Sequence, residues 1–360
     1  MEEKNDVVLV TGASTCVGQH VVKHLQLYWE RLAQIRTFDT GACFEPSLQY
    51  DSKVELRSFS GQFCHDDLGL VEALTGATTV IHLHQYQDFS MLPDLERLQK
   101  DNVDATDVMV SLSERLGVGR LVCLSSNLVN VSSVWPSVLN PEIAKLPPLE
   151  QMSYPAFCSS KLAAENIVLK SGLQSFIVRL GAVFGEADTD SLIVSSLRLA
   201  NKFGGLIPVL GDKGGVMQFT YAGNVAWGLI HVLRKMCKCP DATKERVFLL
   251  DNTPYVDPYT LMQALLKPTN AALSNYSVPF FLVYLPYCIF ERFAHLCEKV
   301  VGVPEIVRKL PSSNYFYLNY YYWVFFSGAK ARLYLDYVPF YSYEKAVQLS
   351  AQYYANCTNI

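Results

Sequence analysis

The sequence lacks a strong excess of charge of either sign. Lys and Arg together number 30 and Asp and Glu together 34, so the formal net charge of the 360 residues is −4. A protein that binds nucleic acid needs a basic surface to neutralise phosphates, so this composition argues against a nucleic-acid partner. Half of the residues are hydrophobic, which is enough to build one large α/β domain and a smaller one.

The sequence also lacks a paired cysteine framework. Its ten cysteines are scattered, and Cys237 and Cys239 form a single Cys-x-Cys with no second cluster to complete a metal site. We therefore predict no metal site and reduced thiols in a compartment that faces the cytosol. A secretory signal is not visible, because the charged N-terminus leads directly into an apolar strand.

Two apolar segments fall short of the length that a membrane-spanning helix needs, which is about twenty residues. The segment 276–290, YSVPFFLVYLPYCIF, carries no charge but contains two prolines, and the segment 315–326, YFYLNYYYWVFF, is almost wholly aromatic and aliphatic. We predict that both segments contact membrane lipid by insertion into one leaflet, with aromatic rings at the interface. The alternative is a buried helix and an aromatic strand in the substrate-binding region.

The first apolar run is followed by a turn that contains glycine. Residues 7–10, VVLV, predict a buried parallel strand, and an apolar-periodic helix is predicted over 19–28. Gly12 and Gly18 lie in the turn between them. A strand, a glycine turn and a helix form a cradle in which backbone N–H groups and the helix N-terminus hold a pyrophosphate. A tight turn without a ligand is the simpler alternative.

The second predicted strand, 35–38, ends at Asp39, about twenty positions beyond the glycine turn. A carboxylate at this place accepts hydrogen bonds from an adenosine ribose and repels a 2′-phosphate, so it selects NAD over NADP. An ordinary aspartate in a turn is the alternative. The sequence therefore predicts NAD as the cofactor.

Further apolar runs alternate with helical patterns. They predict strands at 54–58, 79–84, 120–126 and 175–179 and a helix at 191–205. This alternation indicates an α/β fold, a Rossmann-type doubly wound parallel sheet with a smaller C-terminal substrate domain. We assign residues 1–205 to the dinucleotide-binding domain, with later strands returning from 215–255, and residues 206–360 to the substrate-binding region.

The stretch 152–165, MSYPAFCSSKLAAE, resembles the active-site helix of the short-chain dehydrogenases. That family has a Tyr four residues before a Lys, and here Phe157 stands four residues before Lys161. Residues i and i+4 share one helix face, about 6 Å apart along the axis, so a phenol and an ammonium placed there face one substrate oxygen. The cation favours the phenolate, which lets the Tyr exchange a proton near neutral pH. Phe157 keeps the ring but has no proton to exchange.

Tyr154 is the other phenol in this stretch. It stands seven residues before Lys161, about 10.5 Å away along a helix axis. Pro155 follows it and disfavours helical geometry at position 154. We therefore do not expect Tyr154 to replace the missing group.

The same resemblance implies roles for residues outside this helix. Ser126, with Ser125 beside it, matches the Ser or Thr that hydrogen-bonds the substrate oxygen, and Lys161 matches the Lys that holds the nicotinamide ribose. Asn102 matches an Asn that supports the active site by hydrogen bonding. An ordinary helix cap is an equal interpretation of Asn102.

Several cofactor positions depart from the family pattern. Extended short-chain dehydrogenases have Gly at three places in the turn, here Gly12, Thr15 and Gly18. Because Gly lets the backbone approach the phosphates, we expect Thr15 to weaken cofactor binding or to require a shifted turn. His84 and Gln85 follow the fourth strand, where relatives have small residues beside the cofactor. We expect a buried, satisfied histidine at position 84.

Later segments resemble one branch of this superfamily, the 3β-hydroxysteroid dehydrogenases/Δ5–4 isomerases. The resemblance covers roughly residues 6 to 350. It is carried by YAGNVAW at 221–227, RVFLLDNTPY at 246–255, FSGAKA at 326–331, YVP at 337–339 and EKA at 344–346.

This resemblance implies an NAD-dependent oxidoreductase of the steroid metabolism that acts on 3β-hydroxysteroids, with an isomerase activity whose residues we do not place. It implies a steroid or sterol as the small-molecule partner and a location on the cytosolic face of the endoplasmic reticulum membrane or on a mitochondrial membrane; it leaves the oligomeric state open. Because Phe157 replaces the Tyr, we expect impaired catalysis. The alternative hypothesis is a catalytically inactive, membrane-associated protein that binds NAD or a sterol.

Overall fold

The structure, a computed structural model, describes residues 5–48, 54–134, 136–140, 144–211, 215–240 and 244–356. Its strands are β1 Asp6–Thr11, β2 Leu32–Thr40, β3 Glu55–Gly61, β4 Thr79–His82, β5 Arg120–Ser126, β6 Ser137–Asn140, β7 Gln174–Leu180, β8 Ala182–Phe184, β9 Leu206–Leu210, β10 Val216–Met217, β11 Phe219–Tyr221, β12 Glu245–Phe248, β13 Ala272–Val278 and β14 Trp323–Phe326.

Its α-helices are α1 Cys16–Tyr28, α2 Leu68–Leu74, α3 Leu95–Leu98, α4 Ala105–Arg115, α5 Pro155–Lys170, α6 Leu192–Lys202, α7 Ala222–Lys238, α8 Pro258–Leu266, α9 Phe280–Val300, α10 Glu305–Arg308, α11 Ser313–Tyr320, α12 Ala329–Leu335 and α13 Tyr343–Asn356. A π-helical turn, Gln99–Asp104, joins α3 to α4, and short 3₁₀ turns occupy Asn127–Asn130 and Leu149–Gln151.

Seven parallel strands form the central sheet in the order β12-β7-β5-β4-β1-β2-β3. The strands are short apolar runs with almost no exposed residue in β1, β4, β5 and β7, as expected of a sheet covered on both faces. Buried side chains of α1 and α7 cover one face, and those of α2, α4 and α5 cover the other. The predicted Rossmann-type doubly wound sheet is confirmed.

The strand order reverses between β1 and β4, because β1 pairs with β2 on one side and with β4 on the other. In open α/β sheets, ligands bind in the crevice at the carboxyl ends of the strands where the order reverses. The chain segments that follow β1, β2, β4 and β5 therefore form the candidate site.

Several predicted boundaries were wrong. The fourth strand ends at His82 rather than His84, and the first helix begins at Cys16 because Thr15 caps it. The helix predicted over 191–205 ends at Lys202, before Gly204 and Gly205, which both have positive φ.

The two segments predicted to contact lipid have different structures. The segment 276–290 divides at Pro279: β13 ends at Val278, and α9 runs on to Val300, ten residues beyond the predicted end. α9 is long and apolar enough to cross a membrane by length and composition, and its only buried residues are Phe280 and Ala294. The segment 315–326 divides into the end of α11 and the whole of β14.

Candidate active site

The turn after β1 has the close backbone contacts that require glycine. Gly12 has φ +69°, and a Cβ on it would lie 2.8 Å from the backbone nitrogen of His84. A Cβ on Gly18 would lie 2.3 Å from the carbonyl oxygen of Gly12. Both distances are shorter than any real Cβ contact, so neither position accepts another residue without movement of the backbone.

Thr15 does not shift this turn. A shifted turn was one of the two outcomes expected from the sequence, the other being weaker cofactor binding. Its backbone has φ −74° and ψ 162°, which any residue adopts without strain. The Thr15 hydroxyl donates to the Gly12 carbonyl at 2.8 Å and accepts from the Gly18 N–H at 3.1 Å. Thr15 is therefore the N-cap of α1, and it places a side chain where Gly leaves open space.

Asp39 lies against the same turn, although it comes from the next strand. Its carboxylate accepts from the Ser14 N–H at 3.3 Å and from the Ser14 hydroxyl at 3.1 Å. Burial raises the pKa of Asp39, and the hydrogen bonds from Ser14 oppose that rise. The structure therefore brings Gly12, Ser14 and Asp39 together in an arrangement that fits a pyrophosphate and an adjoining ribose.

The helix α5 begins at Pro155, so Tyr154 lies outside it, with the non-helical angles φ −135° and ψ 78°. This agrees with the effect of proline on the preceding residue. Phe157 lies on α5 and is fully buried. The Phe157 ring meets Phe89 edge to face, with centroids 5.3 Å apart, and Phe89 also contacts Tyr154 at 4.5 Å. The residue at the expected Tyr position therefore lies in an apolar cluster.

Lys161 is buried one helical turn after Phe157. Its Nζ donates to the backbone carbonyl of Leu124 in β5 at 2.8 Å. Burial lowers the pKa of Lys161, which the charge of Glu165 opposes. The ammonium is thus anchored to the strand that leads to Ser126.

The two serines at the end of β5 have different partners. The Ser126 hydroxyl accepts from the Leu128 N–H at 3.2 Å and caps the following 3₁₀ turn. The Ser125 hydroxyl donates to the Glu165 carboxylate at 2.7 Å. The Ser126 hydroxyl therefore keeps its proton free to donate, whereas the Ser125 hydroxyl donates its proton to Glu165 and so links β5 to α5.

Asn102 joins the loop after β4 to α5. Its side-chain oxygen accepts from the Tyr86 N–H at 2.8 Å, and its amide nitrogen donates to the Tyr86 carbonyl and to the Ser160 hydroxyl, each at 2.9 Å. Ser160 in turn donates to the Phe157 carbonyl at 2.8 Å. Asn102 lies inside the π-helical turn and caps no helix, so the supporting role is the interpretation that fits its contacts.

A buried ionic network that the sequence motifs did not predict lies beside Lys161. Arg179 makes two hydrogen bonds to the Glu165 carboxylate at 2.7 and 2.8 Å, and Arg246 adds a third at 3.1 Å. Burial raises the pKa of Glu165, but Arg179, Ser125 and Arg246 together outweigh burial, and the net pKa is lowered. An Arg inside the apolar run SFIVRL was the signal, because a buried cation needs a buried anion.

Glu186, in the turn after β8, was also not assigned. Its carboxylate accepts from the Tyr221 hydroxyl at 2.7 Å and lies 3.7 Å from the Nε2 of His20 on α1. The Cys16 thiol donates to the Glu186 carbonyl at 3.3 Å. These contacts fix the turn that follows β8 against the first two turns of α1.

Within the residues that the structure describes, no group of three or more His, Cys, Asp and Glu side chains is arranged to hold a metal ion.

Comparisons of the sequence with known proteins find steroid and sterol dehydrogenases. The sequence model of the 3-beta hydroxysteroid dehydrogenase/isomerase family matches residues 9–280. The decarboxylating sterol-4-alpha-carboxylate 3-dehydrogenase of Candida albicans is 25% identical over 360 residues, which cover 94% of this chain and 95% of that protein. The 3beta-hydroxysteroid-dehydrogenase/decarboxylase isoform 2 of Arabidopsis thaliana is 24% identical, with 97% of this chain and 62% of that longer protein covered.

A solved structure with the same fold is the UDP-glucuronic acid 4-epimerase of Bacillus cereus, in a variant with one tyrosine replaced by phenylalanine and in complex with NAD and a fluorinated UDP-sugar. It has a TM-score of 0.67 at 15% identity and covers 98% of this chain and 99% of that one. The residues matched by the family model include the glycine turn and the whole of α5. The chain therefore belongs to the 3-beta hydroxysteroid dehydrogenase/isomerase family.

Proposed function

We propose that this protein binds NAD in the turn before α1 and a 3β-hydroxysterol beside α5, and that its dehydrogenase activity is impaired because no phenol stands four residues before Lys161. The NAD assignment is supported by Gly12, Gly18 and Asp39, which form the close turn and the carboxylate that a dinucleotide requires. NAD, when bound, supplies the acceptor for a hydride.

The remaining groups are those that orient a substrate. Ser126 donates to the sterol oxygen, and Lys161 holds a ribose hydroxyl once its side chain leaves the Leu124 carbonyl. Asn102 fixes the start of α5 through Ser160. These groups position the reactants but remove no proton from a hydroxyl, since an ammonium has no lone pair and a neutral amide or serine hydroxyl is too weak a base.

The observation that carries the proposal is the environment of Phe157. The ring is fully buried among Phe89, Tyr154 and other largely apolar side chains, and a phenylalanine carries no atom that can take up or release a proton. General-base catalysis contributes roughly 10²–10⁴-fold to rate, and that contribution is lost here.

Tyr154 does not supply the missing group. Its ring lies in the same apolar cluster, and burial raises its pKa well above the ordinary value, which disfavours the phenolate. Among the described residues, no hydrogen bond joins Tyr154 to Lys161.

A second candidate function is a non-catalytic binder of NAD or of a sterol. It is favoured by the anchoring of Lys161 on the Leu124 carbonyl and by the Thr15 side chain in the glycine turn. Both functions predict NAD binding, and they differ in whether any hydride transfer remains.

We further propose that α9 inserts into a membrane and brings the protein to its apolar substrate. Only 11% of its most apolar window is buried within the protein, and Leu282 and Ile289 are 70% and 71% exposed. Such a surface is costly in water and stable in lipid. The relatives named for sterol chemistry support the endoplasmic reticulum membrane as the location.

The test is NADH formation by the full chain in detergent, with a 3β-hydroxy-5-ene steroid and with a 4α-carboxysterol as substrates. We expect little or no turnover by the wild type and an increase of about 10²–10⁴-fold in Phe157→Tyr. Tyr154→Phe is the matched control, since it removes the neighbouring phenol, and it should leave the wild-type baseline unchanged. Rapid wild-type turnover that Phe157→Tyr does not increase would contradict the proposal.

A further inference from the structure

His84 and Gln85 bring two unpartnered polar atoms to the carboxyl edge of the sheet. The Nε2 of His84 and the Oε1 of Gln85 are buried, and neither has a hydrogen-bond partner among the described residues. A buried polar atom without a partner costs about 1–3 kcal/mol, and a ligand that pairs with it removes that cost. The expectation of a satisfied histidine at position 84 was wrong.

The His84 backbone lies directly against the glycine turn. The residue follows the end of β4, and its N–H donates to the Thr11 hydroxyl at 3.5 Å. The contact with Gly12 is close enough to exclude a Cβ there. His84 therefore borders the place where a dinucleotide would lie across the sheet edge.

The imidazole ring packs against Phe63, in the segment that follows β3, on the side of β4 where β1, β2 and β3 lie. Its centroid is 4.5 Å from that of Phe63, and Phe63 meets Phe38, the residue before Asp39, at 5.2 Å. The nearest carboxylate, that of Asp101, is 4.0 Å from Nε2, which is beyond hydrogen-bonding distance. The ring is thus held by packing on one face while its Nε2 stays unpaired.

Burial lowers the pKa of His84 to about 4, so the ring is neutral at pH 7. A neutral imidazole offers one donor and one acceptor and adds no charge to the site. The Nε2 atom of His84 therefore suits a hydrogen bond to a ribose hydroxyl or to an adenine edge better than it suits an ionic partner.

We propose that His84 hydrogen-bonds through Nε2 to the adenosine half of the bound dinucleotide, with the Gln85 amide beside it as a second contact. The proposal rests on the NAD binding proposed above. It assigns these two side chains to cofactor binding, at positions where relatives have small residues. These two contacts would also compensate for the loss of cofactor affinity expected from Thr15, whose side chain reduces the space for backbone contact with the phosphates.

The test is calorimetry of NAD and of ADP-ribose binding to the full chain in detergent, for the wild type, His84→Phe and His84→Ala. His84→Phe keeps a ring against Phe63 and removes the hydrogen bond, and its thermal unfolding midpoint reports on folding. We expect both variants to bind NAD about 2- to 10-fold more weakly, as for loss of one neutral hydrogen bond. ADP-ribose should show the same ratio, because it keeps the adenosine half.

Two outcomes separate this inference from the proposed function. Unchanged or tighter NAD binding by His84→Ala, with the wild type binding normally, would overturn the role of His84 and leave NAD binding standing. Failure of the wild type to bind NAD at millimolar concentration would contradict the proposed function and this inference together. Weaker binding of NAD with unchanged binding of ADP-ribose would also overturn the placement on the adenosine half.

Discussion

A single hydroxyl separates the α5 of this protein from the helix it resembles. Phe157 is fully buried in an apolar cluster, and Lys161, one helical turn later, donates to a backbone carbonyl. In the proposed function, the site therefore keeps the groups that orient the reactants and lacks the group that accepts the proton.

The increase in activity from Phe157→Tyr should depend on Lys161. The ammonium lowers the pKa of a neighbouring phenol, and without it the phenol ionises only near its ordinary pKa of about 10. We expect Lys161→Met in the Phe157→Tyr background to remove at least 90% of the increase in NADH formation, while Lys161→Arg keeps part of it. An unchanged increase in the Lys161→Met double variant would show that the phenol acts without the cation.

Asp39 should determine the choice between NAD and NADP. Its carboxylate accepts two hydrogen bonds from Ser14 and faces the turn, and hydrogen bonds to a charged group contribute about 1.5–3 kcal/mol. We expect Asp39→Asn to weaken NAD binding about 10- to 100-fold and to reduce the discrimination against NADP, both measured by calorimetry. Ser14→Ala is the control, and it should change NAD affinity far less. Equal NAD affinity in Asp39→Asn would contradict the role of this carboxylate.

At the scale of elements, α9 differs from every other long helix of the chain as described. α1, α5 and α7 each bury a face against the sheet or its neighbours, whereas α9 buries two of its 21 residues. Aromatic side chains of α11 and of the residue after it pack against the start of α9. The rings of Tyr317 and Tyr284 lie 5.6 Å apart, and Phe280 stacks on Tyr321 with centroids 5.0 Å apart. Because α11 also contributes Leu318 to the cluster around Phe157, α9 and the candidate substrate site are joined through packed side chains.

Charged residues on the exposed face of α9 should release the protein from membranes. Burying one large apolar side chain contributes about 1.5–3 kcal/mol, so the double variant Leu282→Glu/Ile289→Glu should lower the vesicle-bound fraction more than tenfold in a flotation assay. Leu333→Glu is the matched control, since Leu333 on α12 is 84% exposed and lies outside α9. Extraction of the wild type by salt alone would contradict lipid insertion.

The sheet was predictable because its inner strands β1, β4, β5 and β7 are short apolar runs, and their alternation with helical patterns is typical of a doubly wound topology. The glycine turn and Asp39 were predictable for the same reason, since their spacing is local. The end of α9 was not, because Pro286 lies inside the helix and no strong stop signal precedes Val300. The ion pair of Glu165 with Arg179 joins α5 to β7, and pairings between separate elements are not visible in one sequence.

At the scale of the whole molecule, stability should depend on keeping buried histidines neutral. Burial lowers the pKa of His20 and of His24 to about 3, while an unfolded histidine has a pKa of about 6.5. Between these values the unfolded state binds more protons than the native state, so the free energy of unfolding falls as the pH falls below about 6.5. Glu165 has a lowered pKa and contributes stability that is lost only below about 4.5, so the loss at milder pH belongs to the histidines.

Each histidine that stays neutral in the folded state contributes up to about 1.4 kcal/mol per pH unit below pH 6 to the decrease in the free energy of unfolding. Burial also lowers the pKa of His82 and His84, so these two rings add to the effect of His20 and His24. Urea unfolding in detergent at pH 7.5, 6.0 and 5.0 measures this slope. His24→Leu should reduce the slope by up to about 1.4 kcal/mol per pH unit, because it removes one of these groups. A free energy of unfolding that stays constant from pH 7.5 to pH 5.0 would contradict the burial of these rings as neutral groups.

The most direct test of the central claim is the single-turnover rate of NADH formation, followed from pH 6 to pH 9, for the wild type and for Phe157→Tyr with saturating NAD and a 3β-hydroxy-5-ene steroid. The account predicts a slow wild type and a variant about 10²–10⁴-fold faster, whose rate rises with pH as the new phenol ionises. Equal rates for the two proteins at every pH, with the wild type turning over rapidly, would show that another group accepts the proton.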